Sequence, residues 1–229
     1  YLNGHIVATI DSLDIEDYSI GIYYESDGIP FNRTIPILSN TRIRNSSSSL
    51  REPLKGLVLK NLSEIILTKN IIYPNLQSER QNIEGIAITL DNIQYAQVEK
   101  QTIWGFNNGL FATGGSNGSI NSIIIWTNGA ELINPIILEN SNILVDNSDI
   151  SFAAGVYPGE NNVDDDPLFI NPEEGNFYLK PRSPLRNTNI GALPFDFDVL
   201  AAAHTYNMHP GWNLMGVPYL TRPQESTPV

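Results

Sequence analysis

Apolar residues recur along the middle of this chain in short runs that open on glycine. The runs read Gly56-Leu57-Val58-Leu59, Gly85-Ile86-Ala87-Ile88 and Gly109-Leu110-Phe111-Ala112, with a degenerate copy at Pro135-Ile136-Ile137-Leu138. Their starts lie 29, 24 and 26 residues apart. Each is followed by a polar, Asn-rich corner and a second apolar run: Ile65-Ile66-Leu67, Tyr95-Ala96-Gln97-Val98, Ile123-Ile124-Ile125 and Ile143-Leu144-Val145. A unit this short cannot bury an apolar face alone, whereas stacked units bury a continuous one. The pattern predicts an all-β chain built as a right-handed parallel β-helix, a solenoid. Its inward positions are expected to be Leu57, Leu59, Ile86, Ile88, Leu110, Ile136 and Leu138, with Leu57, Ile86 and Leu110 in one vertical column.

Glycine before each run suits a corner with positive φ or a close backbone approach, since it carries no Cβ. Asparagine at the corners tolerates the left-handed region and bonds neighbouring backbone, and stacked copies can form ladders. Residues 1–50 hold short alternating runs and are expected as an N-terminal extension, although Gly21-Ile22-Tyr23-Tyr24 has the form of an earlier coil. Residues 51–198 are expected to be the helix with its closing segment. There the prolines Pro167, Pro172, Pro181 and Pro184 end regular stacking and supply a C-terminal cap. Residues 199–229 read as a tail with one or two strands.

Composition narrows the partners. The 229 residues carry a net charge of −12, which argues against nucleic acid and against an anionic membrane surface. There is no cysteine, hence no disulfide or thiolate site. No apolar run is long enough to span a bilayer. The chain begins at Tyr1 without a signal sequence, as a mature product or a fragment would.

The stretch from Asp165-Asp166-Pro167-Leu168-Phe169 to Pro181-Arg182-Ser183-Pro184-Leu185 resembles a closing segment that follows right-handed β-helix repeats in large bacterial surface and secreted proteins. In that family the pattern is Asp-Pro-Leu-Phe, a gap, Gly-Asp-Phe-x-Leu, then Pro-Gly-Ser-Pro and an Asp-x-Gly. Here Gly175-Asn176-Phe177-Tyr178-Leu179 replaces the middle, and Arg182 stands where glycine is usual. The resemblance implies an extracellular or cell-surface setting. It implies no activity, because function lies in sites rather than folds. Gly211-Trp212-Asn213-Leu214 looks like the opening of a small β-domain that follows such segments. Trp212, Leu214, Met215 and Val217 form the assembly candidate: a strand that folds back on the helix or adds to a neighbouring chain.

Chemistry is sparse. Glu160, Asp164, Asp165 and Asp166 are the calcium candidates, but Asp before Pro starts a turn, and three adjacent carboxylates cannot all face one ion; the turn is the stronger reading. No other cofactor is implied. Glu99 and Glu131 fall at comparable offsets for a glycosidase pair, but three residues of slippage separate them. His5, His204 and His209 have no helical spacing or acidic partner that would mark a metal site. Tyr95, Trp104, Phe106 and Trp126 sit in two neighbouring coils. They are the candidates for stacking on sugar rings, with core packing as the competing explanation. The function these features imply is a non-catalytic secreted or surface-attached structural or adhesive module, in a larger or self-assembled array. A polysaccharide lyase, a glycoside hydrolase or a carbohydrate-binding module is the alternative.

Overall fold

The computed structural model describes residues 2–3, 9–16, 18–26, 35–45, 53–74, 83–127 and 131–192. The turn expected at 27–30, the excursion at 75–82, the three histidines and the tail bearing Trp212, Leu214, Met215 and Val217 lie outside these residues.

The chain is a parallel β-helix. Each coil contributes one strand to each of three six-stranded parallel sheets. The first sheet holds Leu2–Asn3, Ile20–Glu25, Leu54–Lys60, Ile83–Asp91, Phe106–Thr113 and Ile136–Leu138. The second holds Thr9–Asp11, Ile37–Ser39, Glu64–Thr68, Tyr95–Glu99, Asn117–Asn121 and Asn142–Asp146. The third holds Asp14–Glu16, Arg42–Asn45, Ile71–Pro74, Thr102–Trp104, Ile124–Trp126 and Asp149–Ile150.

Two expectations change here. The coil has three strands rather than two, and the second strand after Phe106–Thr113 is Asn117–Asn121; the Ile123-Ile124-Ile125 run serves the next corner and the third sheet. The described parts of residues 1–50 supply strands to all three sheets.

Side chains stack by register. In the first sheet the inner column is Ile22, Leu57, Ile88, Leu110 and Ile136. Ile88, not Ile86, aligns with Leu57 and Leu110; Ile86 lies opposite Lys55 and Asn108 and is half-buried. Leu138 aligns with the buried Ala112 but stays partly exposed, since its strand is the last of the sheet. The third sheet contributes an unbroken isoleucine column: Ile15, Ile43, Ile72, Ile103, Ile125 and Ile150. Burial of each such side chain is worth about 1.5–3 kcal/mol.

That column explains three of the four glycines, Gly85 instead lying against the Leu54 backbone. Gly21, Gly56, Gly85 and Gly109 all lack positive φ, so corner geometry is not their reason. A Cβ on Gly21 would come within 2.6 Å of Ile43, one on Gly56 within 2.6 Å of Ile72, and one on Gly109 within 2.7 Å of Ile125. The helix is narrow, and the isoleucines of the third sheet press on the backbone of the first.

The corners carry the positive φ instead. Between the second and third sheets Ser12, Asn40, Lys69, Lys100, Ser122, Asn147 and Asn161 all adopt it. The next residue turns inward, and where it is polar it is bonded. Asn70 accepts the Thr41 N–H through Oδ1 at 2.9 Å, and its Nδ2 donates to the Leu38 carbonyl at 3.1 Å and to Gln101 Oε1 at 3.0 Å. Ser148 and Asn162 repeat the device lower in the stack, with the Ser148 N–H donating to Asn162 Oδ1 at 3.0 Å. At the other corner Asn92 Nδ2 donates to Asn61 Oδ1 at 2.9 Å, so the expected asparagine ladder is present there as a pair.

The closing segment does more than cap. Residues 157–163 lie on the last coil: Asn162 Nδ2 donates to the Val145 carbonyl at 2.8 Å, and Val163 bridges to Asp149. Residues 164–192 then fold back along the outside of the third sheet as an antiparallel hairpin, Phe169–Asn171 with Asn176–Leu179, and a following stretch of turns. The cause is apolar area. Phe169, Phe177, Leu185 and Ala192 bury themselves on Ile71, Tyr73, Trp104 and Ile124, forming a core separate from the helix interior.

Candidate functional site

The interior is closed, so chemistry must come from outward-facing side chains, and the three outer faces differ. On the third sheet one outward row runs Asp14, Arg42, Ile71, Thr102, Ile124, Asp149, and the other runs Glu16, Arg44, Tyr73, Trp104, Trp126. The first two coils are thus charged, with Arg44 paired to Glu16, and the next three are apolar. Phe177 is the centre of the apolar part. Its ring meets Tyr73, Phe169 and Trp104 edge-on at centroid distances of 4.9, 5.2 and 6.2 Å. Gly175, with φ 78°, lets the hairpin pass over Tyr73, whose hydroxyl oxygen an added Cβ would overlap.

These contacts settle where the four aromatic candidates stand. Trp104 and Phe106 are each only 1% exposed, so their rings meet protein and offer no face to a sugar. Trp104 belongs to the outer core under the hairpin, and Phe106 to the helix interior. Trp126 is half-buried at the rim of the outer core. Tyr95 alone is open, at 49% exposure, and it lies on a different sheet from Trp104 and Trp126.

Tyr95 belongs to the second sheet, where none of the outward-facing residues is buried. One row there runs Thr9, Ile37, Ile66, Gln97, Ser119, Leu144 and the next Asp11, Ser39, Thr68, Glu99, Asn121, Asp146. Neighbouring strands are about 4.8 Å apart, so each row is a straight, closely spaced file. Several of its side chains are held by neighbours: Asp11 Oδ1 accepts from Ser39 Oγ and Asn40 Nδ2, both at 2.6 Å, and Gln97 Nε2 donates to Glu99 Oε1 at 2.8 Å. The result is a flat acidic and amide-bearing face with one open aromatic ring. On the first sheet, outward Val58 and Thr89 are buried, and Lys60 bridges Asp91 at 3.0 Å.

The acidic residues of the closing segment gather around one that spacing did not single out. Asp149 is fully buried on the third sheet; its Oδ1 accepts the Asp165 N–H at 3.0 Å, and its Oδ2 has no partner. Burial, and after it the carboxylates of Asp165, Asp164 and Asp166, push its carboxyl up to about 8 despite that N–H. Burial also raises Asp164, with Glu131 adding to the effect. Glu131 thus lies within electrostatic reach of Asp164. Asp166 caps its own turn, accepting the Leu168 N–H at 2.8 Å, and Glu160 is exposed. Among the described residues no three histidine, aspartate or glutamate side chains are grouped to hold a metal ion, and no helix is long and apolar enough to cross a membrane. Asp149 is hard to find from sequence because the segment that buries it begins fifteen residues later.

No protein-family model, curated protein or solved structure matches this chain.

Proposed function

We propose that the chain is a non-catalytic secreted or cell-surface module with a structural and adhesive role, working through the outer face of its second sheet. The observation that carries this reading is that none of the outward-facing residues on the six strands of that sheet is buried, whereas the third sheet lies under the closing segment. Closely spaced files of polar side chains with interspersed Ile37, Ile66 and Leu144, on a stacked backbone, are stiff and cost little entropy to present. The closing segment's resemblance to that of bacterial surface proteins supports the extracellular setting. Tyr95, open and flanked by Gln97 and Asn117, favours a second reading within the same site: sugar binding by ring stacking and amide hydrogen bonds.

The test is retention of the purified protein on insoluble neutral polysaccharides and on bacterial cell walls, against the double variant Tyr95→Ala, Leu144→Ala. Retention that falls about tenfold, roughly 1.4 kcal/mol, with an unchanged melting temperature supports the reading. Equal retention of both proteins overturns it, and release of new sugar ends during incubation would favour the polysaccharide-active enzyme.

A further inference from the structure

We propose that residues 164–192 form a strap latched to the third sheet by uncharged Asp149, and that ionisation of Asp149 releases the strap and uncovers Tyr73, Trp104 and Trp126. The inference does not depend on the adhesive reading, because it concerns a different face.

The strap and the helix are separable in packing terms. The outer core that the strap completes shares no residue with the helix interior. Lifting the strap therefore opens one core and leaves the other intact. Its near end is tied at Asp149 through the Asp165 N–H, and beside it the Asp164 carboxylate accepts the Phe152 N–H. Among the described residues its far end hangs on two bonds, Gly191 N–H to the Ser122 carbonyl at 2.7 Å and Ala192 N–H to Thr102 Oγ1 at 3.0 Å.

The near tie is the electrostatically weak one. Asp149 follows Ile124 in its row and bridges to Val163, neither of which carries charge. The charged groups acting on it are Asp165, Asp164 and Asp166, all on the strap and all acidic; no cation is among them. Glu131 adds a further acid beside Asp164. A neutral Asp149 is tolerated in this setting. An ionised one is buried with one oxygen unpartnered, facing like charge.

The direction in pH follows from linkage. The closed strap holds the Asp149 proton up to about pH 8, whereas the freed carboxyl releases it in the ordinary range near 3.9. The closed form binds more protons, so its advantage is complete below the ordinary range and is lost as pH rises through about 8.

The experiment uses the full chain with Trp212→Phe, so that indole emission reports Trp104 and Trp126 alone. Acrylamide quenching is measured between about pH 6 and pH 9, a window around the Asp149 transition. The latch requires quenching to rise several-fold across the window in this protein and to stay level when Asp149→Asn is added. Level quenching in the parent, or the same rise with Asp149→Asn, overturns it. If the Asp149→Asn protein does not fold, the carbon-13 resonance of the Asp149 carboxyl in the parent decides. A midpoint that is raised above the ordinary range and coincides with the rise in quenching upholds the latch, and any other midpoint overturns it.

Discussion

The second and third sheets are built alike and end up in opposite environments. Both are six parallel strands of two to five residues, both turn an apolar column inward, and they share one corner. Their outward rows differ. The second sheet points out Gln97, Ser119 and Glu99, where the third points out Tyr73, Trp104 and Ile124. Water suits the first set. The second set is a large apolar surface, and the chain covers it with its own strap. The inner residues thus make the coil, and the outer residues decide which side becomes a core and which remains a face for contact.

The contrast breaks most severely at Phe177. Truncation to Ala empties the centre of the outer core and should cost about 3–5 kcal/mol in urea unfolding. A cost below about 1 kcal/mol would mean that the strap is not packed on the third sheet. Gly175→Ala tests the same cover from the backbone. The left-handed conformation alone costs about 1–2 kcal/mol with a Cβ, and the contact with Tyr73 adds to it. The shared corner is probed by Asn70→Ala, which strands the Thr41 N–H and Gln101 Oε1 and should cost about 1–3 kcal/mol, again by urea unfolding. On the bare face Tyr95→Ala should change stability by no more than about 0.5 kcal/mol. A large loss there would show that the second sheet is covered after all.

Much of this design is legible in the amino-acid order, and the illegible parts have physical causes. The recurring apolar runs announce stacked coils because inward columns must be apolar in every coil. The third strand escapes notice because it is short: Thr102–Trp104 has only Ile103 facing the interior, too little for a periodic signal. The misplaced Ile86 follows from treating every glycine as equivalent. Ala87 occupies the rung between Gly56 and Gly109, while Gly85 lies opposite Leu54. The aromatic candidates illustrate a deeper limit. Trp104 and Tyr95 look alike in sequence, and only the return of Phe177 from seventy-three residues away buries the first. Asp149 is hidden for the same reason, since burial by a later segment leaves no local trace.

The absence of cysteine allows a direct comparison of the two faces. Single cysteines at Gln97→Cys and Ser119→Cys on the second sheet, and at Ile71→Cys and Ile124→Cys on the third, can be labelled with a thiol reagent in the native protein at neutral pH. A bare face beside a covered one predicts that the first pair reacts at the rate of an unfolded control, and that the second pair is slowed by about a hundredfold or more. Equal rates at all four positions would contradict it.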